Sequence, residues 1–186
     1  MSMKRMLGAL AFALLPLAGC STHPYDGDLR AAMDAPYQLA SGDRLRVIVF
    51  GQDNLTNSFS VDGAGNIAMP LIGLVHAQGA STAQLAGEIE AKLRGGYLRE
   101  PKVSVEVEAY RPFFVLGEVT ASGQYPYING MTAQTAVAVA GGFSPRGEQT
   151  GVDVTRITGG KTTTASVPMT FPIRPGDTVT VRERFF

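Results

Sequence analysis

The side chain with the most distinctive chemistry in this sequence is the thiol of Cys20, the only cysteine among 186 residues. Cys20 ends the run Leu17-Ala18-Gly19-Cys20, which follows two basic residues and the uncharged apolar segment 6–17. An apolar segment of about 12 residues is typical of a signal peptide, because a membrane-spanning helix needs about 20. A leucine, two small residues and a cysteine form a lipoprotein box, in which the sulfur takes a diacylglycerol. We therefore predict a lipoprotein signal peptide at 1–19 and lipidation at Cys20.

The residue after the cysteine predicts where such an anchor would lie. Ser21 stands there instead of Asp, which by analogy with bacterial sorting rules favours the outer membrane over the inner one. Each buried methylene of an acyl chain adds about 0.8 kcal/mol, so several chains hold a protein stably. We expect a lipid-anchored protein of the outer membrane that faces the periplasm. The alternative is a plain secretory signal with a chance cysteine, which the flanking residues disfavour.

The other reactive side chains do not form a recognisable catalytic or metal-binding set. His23 and His76 have no acidic or cysteine neighbours at ligand spacing, which predicts solvent-facing histidines. Glu106 and Glu108 alternate with valines, so we expect them on the outward face of a strand rather than as a carboxylate pair for glycoside chemistry. The glycine-rich stretches lack the Lys-Ser/Thr pair of a phosphate loop. The sequence predicts no enzyme activity, no metal and no cofactor.

Composition indicates a β-rich chain without strong charge. The 16 basic residues balance 16 acidic ones, and removal of the signal peptide leaves a small acidic excess. Such a balance does not fit a nucleic-acid surface, which needs a clustered basic excess. The 22 glycines favour many turns. Because lipidation would use the only cysteine, no disulfide is available and the fold must depend on packing.

The hydrophobic pattern divides the chain into a polar tether at 20–36, a first domain at 37–110 and a second domain at 111–186, with the boundary at Arg111-Pro112. Apolar residues that alternate with polar ones, between turn residues, predict short strands. These strands are expected at 45–50, 103–107, 113–119, 124–127, 152–157, 161–167 and 178–181, and residues 61–67 are expected to form two short strands around a glycine-rich turn.

Two helices are predicted from their caps. Ser81 and Gln84 form a capping box at the start of the first helix, which ends at Gly95-Gly96. Its buried face has the spacing i, i+4 and i+8, with Leu85, Ile89 and Leu93. The second helix is expected to run from a Thr132 cap to Ala140.

The first and last strands begin with the same turn residues. Gly42-Asp43-x-Leu45-x-Val47 recurs as Gly176-Asp177-x-Val179-x-Val181, and an Asp in this position can close an Asx-type turn. Two short matches are too few to indicate a duplicated domain. Elsewhere, Glu118 and Arg156 fall on strands that could be neighbours, which would allow an exposed ion pair of little energetic weight.

These motifs, taken in order, resemble the bacterial outer-membrane polysaccharide export family. That family combines an export domain, which has Gly-Asp, Val-Asp…Gly and Pro-Leu-Ile-Gly motifs, with a soluble-ligand-binding β-grasp (SLBB) domain. One departure is Ala64, where the family usually has an acid before the glycine; this weakens any role for that acid but leaves the hairpin intact. The matching structural positions are Gly42, Asp43, Asp62, Gly65, Pro70, Gly73, Gly117, Gly123, Gly141, Gly142, Gly176 and Asp177.

The resemblance implies an α+β fold, with a small export domain of mixed sheet and one helix followed by an SLBB-like β-grasp domain. It also implies that a homo-oligomeric ring passes capsule polysaccharide or exopolysaccharide outward from an inner-membrane polysaccharide copolymerase. Members that pierce the outer membrane continue into an amphipathic helix, whereas only residues 182–186 follow the last predicted strand. We therefore expect a short form that relies on a separate outer-membrane β-barrel. The alternative is a monomeric lipoprotein that binds a small soluble saccharide through its β-grasp domain.

Four aromatic residues are candidate sugar contacts, because flat rings can stack on pyranose faces: Tyr110, Phe114, Tyr125 and Tyr127. The alternative assigns Phe113 or Phe114 to the core of the β-grasp domain, with strand alternation placing one ring inside and one outside. The absence of tryptophan favours weak contacts, which suit a sliding polymer better than tight capture.

Overall fold

The computed structural model describes residues 37–158 and 160–184, all of which belong to one compact unit. The predicted signal peptide, Cys20 and the tether at 20–36 lie outside the described residues. Helices and several sheets occur together in the described part, which confirms the α+β class.

The first half contains a three-stranded sheet and a hairpin. β1 (Arg44–Val49) lies in the centre of the sheet, between β2 (Asn57–Ser60) and β5 (Val103–Ala109), and the hairpin joins β3 (Asn66–Met69) to β4 (Gly73–His76). All three strand pairings here are antiparallel, so the predicted mixed sheet of the export domain was wrong. A short loop joins β1 to β2, which favours antiparallel pairing, and β5 returns beside β1 in the opposite direction.

A single helix, α1 (Thr82–Arg94), covers the first half's core. The predicted capping box is present, because the Ser81 hydroxyl accepts from the Gln84 amide at 3.2 Å and the Gln84 side chain accepts from the Ser81 amide at 2.8 Å. Leu85, Ile89 and Leu93 are fully buried, and Gly95 is the C-cap. These local predictions are confirmed.

The second half contains a five-stranded sheet in the order β7-β6-β10-β8-β9. The parallel pairing of β6 with β10 makes this sheet mixed, as predicted, since its other pairings are antiparallel. The second helix, α2 (Ala133–Val139), begins at the predicted Thr132 cap. The strands are β6 (Phe113–Gly117), β7 (Gly123–Tyr125), β8 (Gly151–Thr158), β9 (Lys161–Pro168) and β10 (Thr178–Val181).

Strand β6 resolves the alternatives for the phenylalanine pair. Phe113 and Val115 are fully buried, whereas Phe114 is 40% and Leu116 45% exposed. The predicted strand at 113–119 ends earlier, because Gly117 has φ of +84° and turns the chain out of the extended conformation. In the part of the chain that the structure describes, no helix has the length and hydropathy needed to cross a membrane.

Candidate functional site

The two halves meet at the connector between β5 and β6, where the Arg111 side chain lies between the two Gly-Asp turns. A methyl group added to Gly42 would lie 3.3 Å from Arg111 Cβ, and one added to Gly176 would lie 2.5 Å from Arg111 Nε. Both glycines have positive φ, +93° and +83°. The backbone conformation therefore favours glycine at both positions, and at Gly176 the close approach of Arg111 favours it as well.

Asp43 links the start of the first half to this connector. Its carboxylate is fully buried and accepts from the Tyr37 hydroxyl at 2.6 Å, the Ala40 amide at 2.9 Å and the Arg111 amide at 3.0 Å. The Arg111 guanidinium lies 3.6 Å from the same carboxylate and donates to the Tyr37 hydroxyl oxygen at 3.0 Å. A buried carboxylate with this many donors is held in a single position.

Asp177 repeats the same turn geometry in the second half. Its carboxylate accepts from the Arg174 amide at 2.7 Å, three residues earlier, as Asp43 accepts from Ala40. The charge partner differs, because Arg156 donates to both Asp177 oxygens at 2.9 and 2.7 Å. In both turns, the Asp carboxylate therefore closes the turn by accepting from the amide of the residue three positions before it, and not from a residue that follows it. The proposed ion pair between Glu118 and Arg156 was wrong, since Glu118 instead contacts Ser144 and Arg146.

Three tyrosines form a row beside Arg111. Tyr37 packs edge-to-face on Tyr110 with ring centroids 5.0 Å apart, and Tyr110 packs in the same way on Tyr127 at 5.5 Å. Edge-to-face packing is a favoured geometry for aromatic pairs. The Tyr127 hydroxyl donates to the Ile173 carbonyl at 3.2 Å. We call Tyr37, Tyr110 and Tyr127 the tyrosine row.

Burial raises the pKa of two members of the tyrosine row. For Tyr37, burial is the largest cause and the hydrogen bond to the Asp43 carboxylate adds to it. For Tyr127, burial again raises the pKa most, with the Gly130 backbone acting in the opposite direction. Both phenols are therefore neutral hydrogen-bond donors at physiological pH.

The predicted sugar-contacting aromatic residues have different packing neighbours. Tyr110 and Tyr127 touch each other, but Tyr125 packs against buried Phe113 at 6.0 Å and donates its hydroxyl to the Ala121 carbonyl at 2.6 Å. Phe114 points to the opposite face of the sheet from Phe113. Sugar contact by each of the four rings stays a prediction.

The remaining motif residues shape turns. The Asp62 carboxylate accepts from the Ala64 amide at 2.9 Å and the Asn66 amide at 2.8 Å, so the hairpin turn closes without an acid at position 64. At the β3–β4 tip, Leu71 has φ of +70° and is 56% exposed. Most of the motif glycines have a positive φ, namely Gly42, Gly65, Gly73, Gly117, Gly141, Gly142 and Gly176. Gly123 and Pro70 do not have a positive φ.

Sequence reasoning missed the role of Arg111, Tyr37 and Arg156. The available signal was the repeated Gly-Asp turn, because two equivalent buried acids each need a cation. Within residues 37–158 and 160–184, no three His, Cys, Asp or Glu side chains are grouped as metal ligands would be.

Taken together, the fold and the junction define a two-part α+β protein whose halves meet at Arg111, which bonds to Asp43 of the first half and lies against the Gly176 turn of the second. Residues 31–108 match the family model described as "Polysaccharide biosynthesis/export protein", and residues 112–165 match the SLBB domain. The two matches meet at the Arg111 connector and cover more than two thirds of the chain. The chain belongs to the family of polysaccharide export proteins that combine these two domains.

Curated relatives are similar over one or both domains. The "Exopolysaccharide production protein ExoF" of Rhizobium meliloti (strain 1021) is 32% identical over 119 residues, which is 58% of this chain and 28% of that protein. The "Polysialic acid transport protein KpsD" of Escherichia coli is 28% identical over 157 residues, 83% of this chain and 27% of that protein. The "EPS I polysaccharide export outer membrane protein EpsA" of Ralstonia solanacearum is 28% identical over 170 residues, 77% and 44% respectively. The chain thus spans less than half the length of each of these relatives.

Proposed function

We propose that this chain is a non-enzymatic component of a polysaccharide export conduit, anchored by lipid at Cys20 in the outer membrane and facing the periplasm. The observation that carries the proposal is the order of the two domains, an export domain followed by an SLBB domain, on either side of one connector. The names of the relatives supply the cargo class, since each refers to an exopolysaccharide, a polysialic acid or an EPS polysaccharide.

The proposed assembly is a homo-oligomeric ring that receives polymer from an inner-membrane polysaccharide copolymerase. A ring requires a heterologous interface, in which one face of a subunit meets a different face of the next. The outward face of the five-stranded sheet offers surface for such a contact, because it exposes apolar side chains on β6 and on β8. These side chains are Phe114, Leu116 and Ile157, which are 40%, 45% and 65% exposed. Apolar patches of this kind are typical of interaction sites.

Export is tested by deleting the gene and measuring polymer inside and outside the cells. We expect secreted polymer to fall while polymer accumulates within the cell envelope, because synthesis continues when the conduit is incomplete. Complementation with the wild-type gene should restore secretion. Undiminished secretion in the deletion strain would contradict the proposed function.

The anchor and its location are tested separately with residues 20 and 21. Cys20→Ser should release the protein from the membrane fraction and reduce secretion. Ser21→Asp should leave the protein lipidated but hold it in the inner membrane, and Ser21→Ala is the matched control that should behave as wild type. An unlipidated mature terminus in mass spectrometry would refute the anchor.

Light scattering of the purified protein separates the ring from the alternative monomer. A closed oligomer supports the conduit. A monomer that binds short oligosaccharides with micromolar affinity supports a soluble-ligand receptor instead.

A further inference from the structure

We propose that the free edge of strand β9 is a self-association site, which pairs with β9 of a second copy of this chain to form one continuous antiparallel sheet. Strand β9 (Lys161–Pro168) is the outermost strand of the five-stranded sheet. The contact does not depend on the proposed function, because it uses backbone groups of β9 whatever the protein carries.

The backbone of β9 points three amides and three carbonyls away from the sheet. The carbonyls of Asp177 and Val181 accept from amides on the β6 side at 2.9 and 3.0 Å, so odd-numbered residues of β10 bond towards β6 and even-numbered ones towards β8. The strand registers carry this alternation across β8 into β9, because opposed residues of antiparallel strands bond towards each other or away from each other together. The residues of β9 whose backbone groups face outward are Thr162, Thr164 and Ser166. All three are exposed, and within residues 37–158 and 160–184 their amides and carbonyls form no hydrogen bond.

The other sheet edges of the described chain are protected against such pairing. Strands β2, β3, β4 and β7 have only three or four residues. Strand β5 is longer, but it carries the exposed Glu106 and Glu108, and its register with β1 shifts near its end. The Glu90 side chain also accepts from the Val103 amide of β5 at 2.9 Å. Short length, charge and irregular register are the features that prevent edge-to-edge association.

Strand β9 has none of these protections along most of its length. Its eight residues pair with β8 in an unbroken register. Its one charged residue, Lys161, is the first of the strand, and its one proline, Pro168, is the last. A long and uncharged edge of this kind is a template for another strand.

The side chains of β9 are self-complementary when a second copy runs antiparallel about a two-fold axis at Thr164. Thr164 then lies opposite Thr164 of the second copy, and Thr162 lies opposite Ser166. Hydroxyl-bearing pairs of this kind stabilise antiparallel strands. Lys161 lies opposite Val167, so the two lysines do not meet. Each outward-facing residue exchanges two hydrogen bonds with its opposite, a match in length that only another β9 offers among the described edges.

The symmetry of this contact distinguishes it from a ring contact. Pairing of β9 with β9 is isologous, because the same surface is used by both copies, whereas a ring needs a heterologous interface. An assembly that contains both kinds of contact has dihedral symmetry. We therefore expect the assembled protein to contain an even number of chains.

The test is disulfide cross-linking of the purified full-length protein in detergent, with new cysteines in β9 and mild oxidation. In the proposed register the two Thr164 Cα atoms are about 5.5 Å apart, inside the range of about 4.4–6.8 Å that a disulfide spans. Thr164→Cys should therefore give a covalent dimer. Wild type, which has Cys20 like every variant, sets the background.

The matched control is Thr162→Cys, which changes the same residue type at another exposed position of the same edge. The two Thr162 positions are four residues apart along the paired strands, about 13 Å, so Thr162→Cys should give at least about tenfold less dimer than Thr164→Cys. Ser166→Cys should behave like Thr162→Cys when alone. A mixture of Thr162→Cys and Ser166→Cys should cross-link, because these two positions are directly opposite.

A proline variant tests the backbone bonds without a cross-link. Thr164→Pro removes the central outward amide and leaves the pairing with β8 intact, since an edge strand accepts proline where its N–H faces solvent. Thr164→Ala is the matched control, because it also loses the 2.8 Å contact between the Thr164 and Thr155 hydroxyls but keeps the amide. In light scattering, Thr164→Pro should have half the assembled mass of Thr164→Ala.

Cross-linking that is equal in Thr164→Cys and Thr162→Cys, or absent from both, would overturn the proposal, since β9 would then be solvated or reserved for a different protein. Equal masses for folded Thr164→Pro and Thr164→Ala would overturn it as well. Circular dichroism checks the fold of each variant. If Thr164→Pro does not fold, the cross-linking result decides alone, because the cysteine variants keep every backbone amide.

Discussion

The replacement of Gly176 by alanine measures how firmly Arg111 is held between the two Gly-Asp turns. Gly176 and Gly130 have nearly the same backbone angle, φ of +83° and +84°, but only Gly176 has a neighbour in the path of a new methyl group. The left-handed conformation costs an L-residue about 1–2 kcal/mol, so both alanine variants should lose at least this much stability.

Gly176→Ala should lose more because its Cβ would lie 2.5 Å from Arg111 Nε. The guanidinium must move, and this weakens its 3.0 Å bond to Tyr37 and its 3.6 Å ion pair with Asp43. Hydrogen bonds to charged groups contribute about 1.5–3 kcal/mol, and the lower value applies because the Arg111 side chain is 24% exposed. We expect Gly176→Ala to be less stable than Gly130→Ala by about 1.5 kcal/mol, or about 3–6 °C in melting temperature.

Urea denaturation of four variants completes the experiment. In an Arg111→Ala background, Gly176→Ala should cost no more than Gly130→Ala does, because the obstacle has been removed. Equal losses for the two single glycine variants, or an unchanged extra loss in the Arg111→Ala background, would refute the account of the junction.

Three further predictions concern single residues. Because the pKa of Tyr37 is raised in the folded protein, the contribution of Tyr37 to stability is complete below about pH 10, the ordinary tyrosine value, and is lost as the pH rises above it. Absorbance at 295 nm should show Tyr37 ionising only together with unfolding. Tyr37→Phe should lack this high-pH destabilisation. Ile89→Ala should cost about 2–5 kcal/mol in urea denaturation, because the side chain is fully buried; a loss below about 1 kcal/mol would contradict its place in the core. Ser81→Ala should cost about 1 kcal/mol through loss of the cap, and Ser81→Asp should restore most of it.

Elements that depend on neighbouring residues could be predicted from the sequence. The capping box of Ser81 and Gln84 involves residues three apart, and the buried stripe of α1 follows directly from helical spacing. The alternation in β6 likewise predicted that one phenylalanine would be buried and the other exposed. These predictions succeeded because the physics that sets them is local.

The junction could not be predicted in the same way, because its contacts join distant parts of the chain. Asp43 meets Arg111 and Asp177 meets Arg156, and no spacing rule links the members of either pair. The mixed sheet predicted for the first half was wrong for a related reason, since strand direction depends on which strands meet in space and not on the pattern within each strand. Tyr125 and Tyr127 are two residues apart and were grouped, but β7 ends at Tyr125 and the two rings have different neighbours.

The central position of β10 in its sheet constrains the order of folding. Strand β10 is the last strand of the described chain, yet it separates β6 from β8 and pairs with both. Until β10 is available, both of its partners have a bare edge on which non-native strand pairing can occur. The second half should therefore remain open during synthesis and close late, when residues 174–181 bring the Asp177 turn against Arg156. A chain that folds late in this way stays extended long enough to pass through a narrow protein-export channel. Truncation of the chain just before β10 should prevent the whole five-stranded sheet from forming.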